Sequence, residues 1–155
     1  MRYLVDASTI IALNEIGELG LLHDFLGTVM ITQEVLDECR SVEILRQDRP
    51  EWITVLPPSP RFTQIPGIGP GESSLIASAQ PGDRLILDDS TARRVVELRG
   101  LDFTGLLGLI GGAAEQSKIS GQRGLDLLDR LAASGFHMSQ DVYVRVRARI
   151  LRGAG

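Results

Sequence analysis

The chain has a single cysteine, Cys39, so no internal disulfide is available to it and a cysteine-based zinc site is not expected. Aromatic residues make up only 5% of the 155 positions, which leaves Leu, Ile, Val and Ala to build the core. No apolar run is long enough to span a bilayer; the nearest, from Leu106 to Ala114, is short and rich in glycine. Asp6 interrupts the first apolar stretch almost at once, so the N-terminus does not read as a signal peptide, and the expected compartment is the cytoplasm. Lys118 is the only lysine, and the remaining positive charge is arginine. The formal net charge of −4 argues against strong non-specific binding of nucleic acid, so any such binding must rest on where the arginines stand. Arg93, Arg94 and Arg99 fall in one stretch, and Arg145, Arg147, Arg149 and Arg152 crowd the C-terminus.

What is present is an ordinary globular composition, 43% apolar and 23% charged, at a length suited to one domain over residues 1–155. Short apolar runs at Tyr3–Val5, Thr28–Ile31, Trp52–Leu56, Arg84–Leu87 and Leu101–Phe103 predict strands. Segments of helical periodicity separate them. Thr32 stands where it caps the helix carrying Val35, Leu36 and Cys39. The proline- and glycine-rich stretch Pro57–Gly71 reads as a connection, with a helix beginning near Glu72. An apolar helix follows Thr104, and two amphipathic helices from about residue 122 are expected to pack on the rest. Strands without clean alternation, separated by helices, predict a three-layer α/β/α architecture around a parallel sheet of four or five strands.

Two of these strands end in acids: Val5-Asp6 and Leu87-Asp88-Asp89. In an open α/β sheet the C-terminal strand ends line the crevice where ligands bind, so Asp6 and Asp89 are expected on one edge. Glu72 lies in the first turn of the helix leading to the fourth strand, and Glu38 in the helix after the second. Two carboxylates about 4 Å apart repel by roughly 4 kcal/mol at an effective dielectric near 20. A cluster of them therefore calls for a cation or for raised pKa values. Oxygen-only ligands favour Mg2+ or Mn2+, and a metal so held can activate water for phosphodiester cleavage. Taken singly, each acid has a plainer role as a helix cap or first-turn charge; several at one edge is what tilts the balance. Glu34 and Asp37 share a helix with Glu38 and are assigned to its solvated face.

The ordered set of segments resembles the PIN-domain ribonucleases of the VapC toxin type. "YLVDASTIIALNEIGELGLL" is similar to the first strand and helix of that family, and "ITQEVLDECR" to its second strand and helix. "GPGESSLIASA" resembles a Gly-Glu helix start found in one subgroup, and "LILDDSTARRVVELRGLDFTGLLGLI" the fourth strand, its Asp pair and the Thr-Gly turn. The resemblance implies a Mg2+- or Mn2+-dependent endoribonuclease, commonly the toxin of a toxin–antitoxin pair, with an RNA substrate, an antitoxin partner and often a homodimeric state. Carried over by position, it makes Asp6, Glu38, Glu72 and Asp89 catalytic metal-site acids, with Asp88 as a neighbouring ligand. Ser8 and Thr104 become supporting residues for Asp6 and Asp89. Independently of the resemblance, Arg93 and Arg94 follow the acidic strand end by one helical turn, a position that suits contact with substrate phosphate and, equally, an ordinary exposed helix face. Where many members carry a further late aspartate, this chain has Thr104-Gly105, which leaves one metal or two open. Two rival functions share these features. One is an inactive PIN-fold binding module. The other is a receiver-like phosphoacceptor, weakened because Lys118 is remote in sequence from the acids.

Overall fold

Leu4 and Val5 are adjacent in the first strand, so their side chains point to opposite faces of the sheet, and both are fully buried. Leu85 and Ile86 repeat the arrangement in the fourth strand. A sheet that buries both faces must be covered on both, which is why its strands read as continuous apolar runs. The computed structural model describes residues 1–153, so the last two positions of the expected 1–155 domain lie outside the described residues. Its sheet is wholly parallel and has five strands: β1 (Tyr3–Val5), β2 (Val29–Ile31), β3 (Ile53–Val55), β4 (Arg84–Ile86) and β5 (Asp102–Thr104). The strand order is β3-β2-β1-β4-β5. The helices are α1 (Ala7–Glu15), α2 (Leu21–Leu26), α3 (Gln33–Glu38), α4 (Glu43–Gln47), α5 (Pro70–Ser78), α6 (Ser90–Leu98), α7 (Leu106–Glu115), α8 (Gly121–Ala133) and α9 (Gln140–Gly153). The result is a PIN-like three-layer α/β/α sandwich, with the sheet at the upper end of the expected strand count.

The order places the topological switch between β1 and β4. From β1 the chain proceeds outward to β2 and β3, then returns to the other side of β1 to lay down β4 and β5. The chain therefore leaves the C-terminal ends of β1 and β4 in opposite directions, opening a crevice there. Asp6 immediately follows β1, and Asp88 follows β4 by two residues. Pairing continues past the assigned strand ends: Asp6 N donates to Ile86 O at 3.0 Å and Leu87 N to Thr104 O at 2.9 Å. The acids thus sit on a rigid edge.

One hydrophobic cluster runs from β1 to the C-terminal helices, taking in Leu127, Leu128 and Leu131 of α8 and Ile150 of α9. The glycines of α7 allow this. A Cβ on Gly111 would lie 2.9 Å from Arg149 Cδ, and one on Gly124 of α8 would lie 2.9 Å from Ile150 Cγ2. Arg149 crosses α7 and pairs with Glu115, its Nε donating to Oε1 at 2.7 Å. The small-residue face of α7 is accordingly filled by the chain's own α9. His23 stacks on Trp52, with ring centroids 5.3 Å apart, in a packing role.

Candidate active site

Asp6 is buried to 1% exposure, and its two oxygens are held separately. Oδ1 accepts from Thr9 N at 2.9 Å and so caps α1. Oδ2 accepts from Ser8 Oγ at 2.9 Å and from Asp88 N at 3.3 Å, which ties the end of β1 to the end of β4. Burial raises the Asp6 pKa, while the hydrogen bonds from Thr9, Ser8 and Asp88 favour the carboxylate and pull it back.

Asp88 is half-buried, less so than Asp6 and more so than its neighbour Asp89. Its Oδ1 meets Arg93 Nη2 at 3.1 Å, whereas its Oδ2 is buried and has no hydrogen-bond partner. Burial first, and the Asp6 charge second, push its carboxyl up to about 6 against the pull of Arg93. Arg93 is held inward by two of its nitrogens. Its Nε donates to Leu87 O at 2.8 Å and its guanidinium lies 5.7 Å over the Phe103 ring. A Cβ at Gly105 would collide with both Arg93 Nη2 and Asp88 Oδ1, so this close pairing requires a glycine there. Asp89 is exposed and caps α6, accepting from Ala92 N at 2.8 Å.

Glu38 and Glu72 come from the other side of the crevice. Glu38 is the last residue of α3, and its Oε1 accepts from Gly71 N at 3.0 Å in the first turn of α5. A Cβ on Gly71 would lie 2.6 Å from Glu38 Oε2, so the contact exists only because residue 71 has no side chain. Glu72 is half-buried in the same turn, where unpaired N–H groups favour negative charge. Its pKa is nevertheless raised, by burial first and then by the charges of Asp6, Glu38 and Asp89. Cys39 is buried beside them; burial, then Glu38 and Asp6, push its thiol up to about 12, which leaves it an unreactive packing residue.

Acids from the end of β1, α3, α5 and the β4–α6 turn are therefore gathered at one sheet edge. They do not yet form a ligating cluster: among the described residues no group of three or more His, Cys, Asp or Glu side chains could hold a metal ion as placed. The donor chemistry fits an oxygen-preferring cation, and the unpartnered, buried Oδ2 of Asp88 is an atom that such a cation would satisfy. Ligation by three or more acids would take rotation of side chains from their present positions.

The supporting residues divide. Ser8 donates to Asp6, as its position suggests. Thr104 does not cap the following helix: α7 starts after Gly105 with no side-chain cap, and the Thr104 hydroxyl instead faces the bare backbone of Gly108. No hydrogen bond joins Thr104 to Asp89 among the described residues, because Asp89 turns to its own helix. Arg94 is exposed on α6. Asp37 accepts from Gln33 on the outer side of α3. Lys118 Nζ donates to Phe25 O at 3.1 Å and takes no part at the acid edge.

Sequence reasoning missed Gly71 and the inward hold on Arg93. The signal for Gly71 was Gly69-Pro70-Gly71-Glu72 itself, since Pro70 takes the N1 position that its missing N–H suits. Comparison with known proteins returns no match among curated proteins and none among solved structures. The family described as PIN domain, whose members are generally nucleases, matches residues 2–151, and on that near-complete span, together with the parallel sheet and its acidic edge, the chain belongs to the PIN-domain family.

Proposed function

We propose that this PIN domain is a Mg2+- or Mn2+-dependent endoribonuclease acting on single-stranded RNA, and that it serves in the cytoplasm as the toxin of a type II toxin–antitoxin pair. The observation that carries the reading is a pair of contacts at the switch point: Asp88 N donates to Asp6 Oδ2 at 3.3 Å, and Gly71 N, next to Glu72, donates to Glu38 Oε1 at 3.0 Å, so acids from separate segments meet there. A fold gains nothing in stability from gathering like charges. Their assembly makes sense as an ion-binding edge.

In this reading Asp6, Glu38, Glu72, Asp88 and Asp89 would hold the metal. When bound, such an ion activates water and stabilises the leaving oxygen of a phosphodiester. The chain's own groups prepare the place. Thr9 N and Ser8 Oγ fix both oxygens of Asp6, so its orientation needs no search. Arg93 favours the ionised form of Asp88 and presents positive charge at the crevice, where it and Arg94 would meet substrate phosphate. Single-stranded RNA suits a crevice at a sheet edge, because splayed nucleotides enter where a duplex is too bulky. The toxin assignment and its antitoxin and homodimer partners rest on the sequence resemblance.

Incubation of purified protein with labelled total RNA tests the proposal. Cleavage that needs manganese and stops with a chelator is expected; intact RNA under every metal condition overturns it. One observation favours a second reading, a PIN-fold binding module without catalysis: among the described residues no three acids could hold an ion as they stand. RNA retained without cleavage would select that alternative.

A further inference from the structure

A groove of about 1080 Å3 lies between α1, the β5–α7 turn, the α8–α9 connection and α9. Ser8 and Asp88 are among its lining residues, and both contact Asp6. Phe103, Phe136, Met138, Val142 and Val146 give it an apolar lining. Arg93, Arg145 and Arg149 supply its positive charge, against Glu15 and Asp88. Arg93 and Arg149 are already paired with acids, whereas Arg145 has no ion pair among the described residues and is exposed on α9. Phe136 is only half-buried, in the short α8–α9 connection.

We propose that this groove is a nucleotide subsite. It would seat a base of single-stranded RNA flanking the cleaved bond, stacked on Phe136, with Arg145 on the adjoining phosphate. The assignment rests on the reading that the acid edge acts on RNA, and it names where the strand goes next. A strand whose phosphate lies at Asp6 and Asp88 adjoins this groove, because Ser8 and Asp88 line it. Aromatic faces beside a free guanidinium are the sequence-tolerant elements by which single strands are held. The bases of a duplex are stacked inside and cannot enter such a cleft. Its size is that of a pocket for a small-molecule-sized group.

Fluorescence anisotropy with a labelled single-stranded RNA of about 12 nucleotides, in EDTA, tests the subsite without cleavage. Arg145→Ala and Phe136→Leu are each expected to weaken binding by about fivefold or more. Arg147→Ala removes the same charge from the same helix but outside the groove, and is expected to cost less than about twofold. Equal losses for Arg145→Ala and Arg147→Ala, or no loss for Arg145→Ala and Phe136→Leu, overturn the proposal. Arg145 is exposed, so its removal does not threaten the fold if Phe136→Leu does. A protein that cleaves RNA with unchanged variants leaves the nuclease standing and this subsite refuted. Groove-dependent binding in a protein that never cleaves does the reverse.

Discussion

Glu38 Oε1 accepts a hydrogen bond from Gly71 N at 3.0 Å, across 33 residues of sequence. The contact fastens the end of α3 to the start of α5 and brings one carboxylate against the turn that carries another. Replacing Gly71 with Ala separates folding from function. The new Cβ would stand 2.6 Å from Glu38 Oε2, the far end of a flexible side chain that can swing away. Alanine also suits a helix better than glycine, by about 0.5–1 kcal/mol. Gly71→Ala is therefore expected to unfold in urea within about 1 kcal/mol of the wild type, while RNA cleavage falls by about tenfold or more, the scale of disturbing a ligand's support.

Asp88 gives the protein a pH signature. Its folded pKa, about 6, lies above the ordinary 3.8, so the folded state holds the proton more tightly than the unfolded one. Its contribution to stability is complete below the ordinary value and is lost as pH rises through about 6. At neutral pH the ionised group costs stability. Asp88→Asn is expected to stabilise the protein by about 1–2 kcal/mol near pH 7, after the lost Arg93 pair is allowed for. The gain should shrink toward about pH 4. Denaturant titrations at several pH values check this, and a variant less stable than wild type at neutral pH contradicts it.

Asp6→Asn tests chemistry at the most constrained acid. Asparagine caps a helix as well as aspartate does, so α1 keeps its first turn. One amide hydrogen will face the donors at Ser8 and Asp88, at a cost of about 1 kcal/mol. Circular dichroism and thermal unfolding are expected to remain close to wild type, with RNA cleavage reduced by at least about 100-fold. Full cleavage by the variant would remove Asp6 from the site.

The strands were legible because both faces of the sheet are buried, so runs such as Leu4-Val5 and Leu85-Ile86 announce themselves by composition. Residues at strand ends inherit the sheet's geometry, so Asp6 and Asp89 were expected on one edge; Asp89 turns instead to cap α6, and it is Asp88 whose backbone N–H meets Asp6. Helix α4 was not legible: five residues, no side-chain cap at Val42 and only Leu45 buried leave almost no pattern to read. The role of Arg93 was hidden for another reason. Helix spacing sets it near the acidic turn but does not reveal that Gly105 leaves room for it to fold back onto Asp88. The Glu38–Gly71 link was equally invisible, because it joins segments that meet only once the sheet is ordered. Local signals, in short, carried the scaffold, while the contacts that decide how the acids point are long-range.

Calorimetric titration of manganese into the protein tests most directly whether the acids of β1, α3, α5 and the β4–α6 turn act as one ion site. The wild type is expected to bind with measurable heat, and Asp6→Asn and Glu38→Gln each to abolish it, although Asp6 and Glu38 lie on different elements. A wild type that takes up no manganese, or two variants that bind as the wild type does, would contradict the account.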